Sequence, residues 1–219
     1  MNPIAKIIKS KFFQRKRNRI LAICGTILFV AAMIFLVIFQ NGMLDGLFAP
    51  SITLMSPAPV SADDRNEIVI DVVLSSLPDR VFPAASLSVE FDKNKLEFTG
   101  VKQGTMMTLG DSNGEKKTYN IPIWKSDIEV SNRLGEINTM YLDITGGKFA
   151  YIREGFNKNN KDILLRLTFR FRDSVQAGEI YNITVKDVVI ATSGGAEKRT
   201  SLATALRTLR AYPAKIAVK

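Results

Sequence analysis

Apolar and polar positions alternate along most of this chain. The clearest run is Leu165 to Arg172, where Leu165, Leu167, Phe169 and Phe171 alternate with Arg166, Thr168, Arg170 and Arg172. A period of two marks a strand with one face buried. The four apolar residues are expected in a core, with Arg166, Arg170 and Arg172 as a solvated cationic row. Ser86 to Gly104 repeats the pattern on both sides of a polar turn, Asp92-Lys93-Asn94. Leu87, Val89 and Phe91 face one way before the turn, and Leu96, Phe98 and Val101 are the apolar set after it. Read this way, the chain predicts nine strands, near Ile52–Met55, Glu67–Leu74, Ala85–Phe91, Leu96–Val101, Lys117–Ile123, Ile137–Ile144, Ile163–Arg172, Tyr181–Ile190 and Ala214–Val218. Turn-forming clusters such as Leu77-Pro78-Asp79, Gly146-Gly147 and Gln176-Ala177-Gly178 separate them. Many short strands with such turns predict an all-β sandwich or barrel. One segment departs from the period. Leu202, Ala205, Leu206 and Leu209 are spaced three and four apart and predict a short amphipathic helix over Lys198–Leu209.

A different pattern precedes the strands. From Ile20 to Leu44 no residue is charged, and Ile20 to Phe39 is almost wholly apolar. About 20 residues at about 1.5 Å each span roughly 30 Å, a bilayer core. The run is too long for the apolar part of a cleavable signal peptide. It has almost no polar face, unlike a core helix. The expectation is an uncleaved signal anchor over 20–44, after a basic cytoplasmic segment at 1–19. A connector at 45–50 and a sandwich over 51–219 would follow.

Charge sharpens this division. The 219 residues carry 30 basic and 21 acidic side chains, a net charge of +9. Seven of the basic residues, from Lys6 to Arg19, lie before the apolar run, with no acidic residue among them. Taking those seven from the 30 leaves 23 basic against 21 acidic, or +2 for the rest. The body lacks the basic excess of a nucleic-acid-binding domain, and no nucleic-acid partner is expected. The basic flank instead predicts a cytoplasmic N-terminus and an extracellular or periplasmic C-terminal part, with the lipid bilayer as a partner. There is one cysteine, Cys24, and no histidine. No intrachain disulfide can form, and the Ser-His-Asp and Cys-His triads are excluded from the outer part. Asp71, Asp143, Glu154 and Asp187 fall in strand or turn contexts where a solvated carboxylate is the default. Asp111-Ser112-Asn113-Gly114-Glu115 lacks EF-hand spacing. No enzyme, catalytic residue or bound metal is expected.

Three stretches together resemble the cohesin domain of cellulosome scaffolding and anchoring proteins. The first is Ile68 to Leu74 followed by Leu77-Pro78. The second is Ala85 to Gly104, with an aromatic-Asp pair, a short turn, Lys95-Leu96-Glu97-Phe98 and then Gly100. The third is Asp162 to Phe171, then Gly178, then Ile183 to Val189. The resemblance covers roughly Pro50 to Lys219 and implies a nine-stranded jelly-roll sandwich. It also implies a partner, a dockerin-like or other extracytoplasmic protein, and calcium only through that partner. In the family the third, fifth, sixth and eighth strands build the binding sheet. By alternation the outward residues would be Ser86, Ser88 and Glu90; Thr118 and Asn120; Thr139, Tyr141 and Asp143; and Asn182, Thr184 and Lys186. The partner-binding set expected on this basis is Ser86, Ser88, Glu90, Asn120, Thr139, Tyr141, Asp143 and Thr184, with Tyr141 as the aromatic anchor. Where well-known cohesins place polar contacts early in the third strand, this chain has Ala84 and Ser86. Two alternatives stay open. One is a polysaccharide-binding module using Trp124, Tyr119, Tyr141 and Tyr151 as a platform. The other is a structural subunit of an envelope or pilus assembly.

Overall fold

Strand pairing gathers the period-two runs into two sheets with a shared interior. The computed structural model describes residues 49–64, 66–112, 122–153, 162–173, 175–193 and 201–219, with Met33 alone before them. The chain divides into two units, Met1–Phe48 and Ala49–Lys219. The expected basic segment and apolar run lie outside the described residues, Met33 apart. Among the described residues no helix is long and apolar enough to cross a membrane.

In the second unit the strands are β1 (Ser51–Leu54), β2 (Ile68–Leu74), β3 (Ala84–Glu90), β4 (Leu96–Gln103), β5 (Lys125–Ser126), β6 (Glu136–Leu142), β7 (Ile163–Phe171), β8 (Ile180–Ala191), β9 (Leu202–Ala203), β10 (Arg210–Tyr212) and β11 (Ala214–Ala217). Two short helices join them, α1 (Leu109–Ser112) and α2 (Ile128–Leu134). One sheet has the order β10-β1-β2-β7-β4 and the other β11-β8-β3-β6-β5, with β9 beside β8. The all-β sandwich is therefore present, with eleven strands among the described residues where nine were expected.

Three local expectations are corrected. The strand expected over Lys117–Ile123 falls largely outside the described residues; Pro122 and Ile123 are not in a strand, and β6 pairs instead with Lys125–Ser126. The helix expected over Lys198–Leu209 is absent among its described residues, which form β9 and turns. Thr208 closes that turn: its hydroxyl accepts from the Ala203 amide at 2.9 Å and donates to the Ser201 carbonyl at 2.9 Å. Leu202 and Leu209 still reach the core, so three-and-four spacing is met here without a helix. The cationic row is not uniformly solvated either. Arg166 pairs with Asp71 at 3.0 Å, and Arg172 donates to the Lys93 carbonyl at 2.7 Å, while Arg170 is exposed.

The interior is apolar where the alternation says it should be. Ile70, Val72, Leu165, Leu167 and Phe169 from one sheet meet Leu87, Val89, Ile137, Ile183 and Ile190 from the other. Phe169 anchors the middle, 5.4 Å from Phe91 and 5.7 Å from Phe98 between ring centroids. Helix α2 was not expected, although its signals are local. Asp127 caps its N-terminus by accepting from the Val130 amide, and Gly135 ends it in the left-handed region at φ 77°. The helix covers the edge of β4. Asn132 accepts from the Phe98 amide and donates to the Phe98 carbonyl, both at 2.8 Å. Its side-chain amide thus replaces a strand partner on an otherwise open edge.

One charged cluster makes stability depend on acidity. Glu179 accepts from the Tyr181 hydroxyl, the Gln176 amide and Lys95. The Tyr181 hydrogen bond first, then those from Gln176 and Lys95, hold its carboxyl down at about 2 against an ordinary 4.5. A carboxylate depressed on folding stabilises fully above its unfolded value, and that contribution is lost as pH falls through the folded value. The urea midpoint should therefore fall between about pH 4.5 and 2, and Glu179→Gln should flatten that part of the profile. Identical slopes for the two proteins in that window would show that Glu179 carries no such linkage.

Candidate functional site

The outer face of the β11-β8-β3-β6-β5 sheet is built by register. In the β3–β6 pair, Ala84 lies opposite Leu142, Ser86 opposite Met140, Ser88 opposite Asn138 and Glu90 opposite Glu136. Directly paired residues share a face, so these four rows lie on one surface. From β8, Ala191, Val189, Asp187 and Thr184 complete the same rows. A bulge between Ser88 and Val89 in the β3–β8 register adds one residue to β8. Such an insertion re-aims side chains. Here Lys186 lands between two carboxylates, 2.7 Å from Glu136 and 3.2 Å from Glu90.

The surface changes character along the strands. At one end lies the Glu90–Lys186–Glu136 group. The hydrogen bond from Lys186, then that from Asn138, holds the Glu136 carboxyl below the usual range. Hydrogen bonds to Glu136 and Glu90 push the Lys186 ammonium up. In the centre, Ser88 donates to Asn138 at 2.6 Å, and Asn138 donates to Glu136 at 3.2 Å. At the other end the surface turns apolar, with Met140 57% and Leu142 51% exposed, followed by Ile144 at 82%. An open groove of about 790 Å³ runs beside α2, lined among others by Ser86, Ser88, Lys125, Ile128, Asn138 and Met140. Among the described residues no cluster of three or more potential metal ligands exists. The arrangement is suited to non-covalent contact: apolar area at one end, charge at the other and hydroxyl and amide groups between.

Half of the expected site is where alternation placed it. Ser86 and Ser88 are half-buried on this face, and Glu90 and Thr184 are exposed on it. Asn120 lies outside the described residues, as do Thr118 and Tyr119. Thr139, Tyr141 and Asp143 are corrected, because β6 presents its other row outward. Tyr141 is wholly buried, its hydroxyl donating to the Phe149 carbonyl at 2.5 Å. Thr139 is buried and donates to the Lys125 carbonyl at 2.9 Å, tying β5 to β6. Asp143 is buried and shapes a loop, accepting from the Thr145 amide at 2.8 Å and the Phe149 amide at 3.0 Å.

The physical reason is parity. Apolar residues occupy both rows of β6, and a one-residue slip in phase exchanges the two faces. Pairing of Ile137 with Val89 and Tyr141 with Ala85 sends that row into the core. Sequence reasoning therefore missed Met140, Leu142, Glu136 and Asn138. No local signal decides between the rows: Ile137 and Tyr141 in one are matched by Met140 and Leu142 in the other. The aromatic platform is corrected too. Trp124, Tyr141 and Tyr151 are buried and packed with tilted rings, Tyr141 lying 5.8 Å from Trp124 and 4.8 Å from Tyr151 between centroids, and Trp124 donates to the Tyr151 hydroxyl at 3.1 Å. They offer no flat surface to a sugar.

Known proteins share this architecture. The third cohesin of ScaC from Acetivibrio cellulolyticus, solved with the ScaB dockerin, matches with a TM-score of 0.55 and 16% identity over 77% of this chain and 98% of that one. The Coh-OlpA–Doc918 complex from Clostridium thermocellum, a type I cohesin–dockerin complex, matches with a TM-score of 0.54 and 16% identity over 78% and 99%. The seventh ScaB type I cohesin from Pseudobacteroides cellulosolvens matches with a TM-score of 0.51 and 13% identity over 78% and 92%. At such identities the likeness is one of fold. No curated protein matches the chain. The family model described as the cohesin domain matches residues 59–207, which is more than half of the sequence, and this chain belongs to the cohesin domain family.

Proposed function

We propose that this chain is a non-catalytic, membrane-anchored cohesin that holds a dockerin-like protein outside the cytoplasm. The observation that carries the binding half is the outer face of the β8-β3-β6-β5 strands. It combines exposed Met140 and Leu142 with a polar and charged remainder. Cohesin domains bind dockerins, and two of the matched structures are complexes of a cohesin with a dockerin. The ScaB dockerin carries a C-terminal helix, the segment altered in its complex, so the expected occupant is a module that presents a helix. Calcium would belong to that module. The uncharged run from Ile20 to Leu44 and the seven basic residues before it support the anchor and its orientation.

Two measurements test this reading. The full chain in lipid nanodiscs is presented with a panel of purified dockerin modules, with calcium and with chelator. At least one calcium-dependent binder is expected, and Met140→Glu should weaken it at least tenfold while leaving the thermal midpoint unchanged. Absence of any binder across the panel would count against the dockerin reading. Separately, alkaline carbonate should leave the full chain in the membrane pellet and extract a variant lacking residues 20–39. Extraction of both would remove the anchor.

A further inference from the structure

The polarity of the sheet face specifies the chemistry of the helix that covers it. We infer that the occupant is an amphipathic helix with two apolar side chains one turn apart and a basic side chain a little over two turns further along. This inference rests on the reading of the face as a dockerin-binding surface and adds its specificity.

The apolar end sets the first requirement. Leu142 and Met140 are alternate residues of β6, about 7 Å apart along the strand. That matches a helix spacing of four residues, about 6 Å. Ala84, Val189 and Ala191 surround them in the paired rows, leaving Ser86 as the polar member of that end. Ile128 of α2 is exposed and stands at the groove wall beside Met140. Polar side chains laid here would lose water and gain no partners from these groups. Two apolar side chains would bury the patch instead.

The charged end sets the second. Glu90 and Glu136 share the single ammonium of Lys186, so the group carries a net negative charge. Glu136 lies four residues from Met140 along β6, about 13 Å in an extended strand. A helix laid along β6 and rising about 1.5 Å per residue covers most of that distance in about seven or eight residues, a little over two turns, which keeps the side chain on the face turned to the sheet. An arginine or lysine there meets an unbalanced carboxylate, whereas an acidic residue meets repulsion. Charge placed this way selects among partners more than it raises affinity.

The test uses the full chain in nanodiscs and one probe, the ScaB dockerin with its C-terminal helix randomised and displayed as a library. Selected clones should carry apolar residues four apart and a basic residue about seven or eight further on. Against such clones Met140→Glu should weaken binding at least a hundredfold. Glu136→Lys should weaken them about tenfold and restore binding to clones whose basic residue is changed to glutamate. Clones that bind with no such pattern, or that keep affinity within twofold against both variants, would overturn the inference and leave the dockerin reading standing. No binding clone at all would overturn both. Sedimentation of the nanodisc-held chain without probe provides the last arm. Self-association lost in Met140→Glu would make the face a contact between copies and overturn the inference.

Discussion

Gly104→Ala should cost more than about 4 kcal/mol, enough to unfold the sandwich or nearly so. Gly104 ends the β4 run where it crosses the start of β7, and its amide donates to the Leu164 carbonyl at 3.3 Å. A Cβ built there would lie 1.8 Å from the Ile163 carbonyl oxygen and 2.5 Å from its carbon. Both atoms are backbone within a paired strand, so no side chain can swing aside. Glycine is required by the close approach of another chain segment rather than by an unusual φ. Gly178 is the control. It has φ of 87° and nothing within 4 Å of an added Cβ. Gly178→Ala should cost only the left-handed backbone penalty, about 1–2 kcal/mol. Urea denaturation of the three proteins separates the cases. A Gly104→Ala midpoint equal to that of Gly178→Ala would refute the steric account.

Tyr141→Ala should destabilise by about 3–5 kcal/mol, as aromatic truncations in cores do. For a domain of this size that is a fall of roughly 10 °C in thermal midpoint. Tyr141 sits between Trp124 and Tyr151 with no exposed surface. Its truncation would leave a cavity in the aromatic cluster and strip the Phe149 carbonyl of its donor. Tyr141→Phe keeps the ring and loses only that hydrogen bond, so it should cost about 1–3 kcal/mol. Thermal melts followed by near-ultraviolet circular dichroism give both values. A Tyr141→Ala protein that melts with the parent but fails to bind would place this side chain on the binding face after all. Met140 is the contrast: adjacent residues on one strand, Tyr141 buried and expected to govern stability, Met140 exposed and proposed to govern binding.

The strands were legible in the sequence because each carries its own face. Leu165 to Phe171 and Leu87 to Phe91 have apolar residues in one row only, and both went to the core as alternation requires. Ser86, Ser88 and Glu90 followed from the same rule. Helix α2 could have been read from Asp127 and Gly135, but its seven residues give a weak periodic signal. The expected helix near Leu206 failed for the opposite reason: apolar spacing survived while Thr208 closed the backbone into a turn.

β6 marks the boundary between the two kinds of information. The sequence alone determined that an all-β domain would form, and which residues of β3 and β7 would line its interior, since hydrophobic periodicity is a property of neighbours along the chain. It determined the apolar run at 20–39 for the same reason. Tertiary pairing decided which row of β6 faces out, because Met140 and Tyr141 are both large enough to bury and only the register against β3 chooses between them. It also decided where Lys186 meets Glu90 and Glu136, where Asn132 meets β4, and why Gly104 admits no side chain. Each of those contacts joins residues far apart in sequence, and their geometry exists only once the strands have paired.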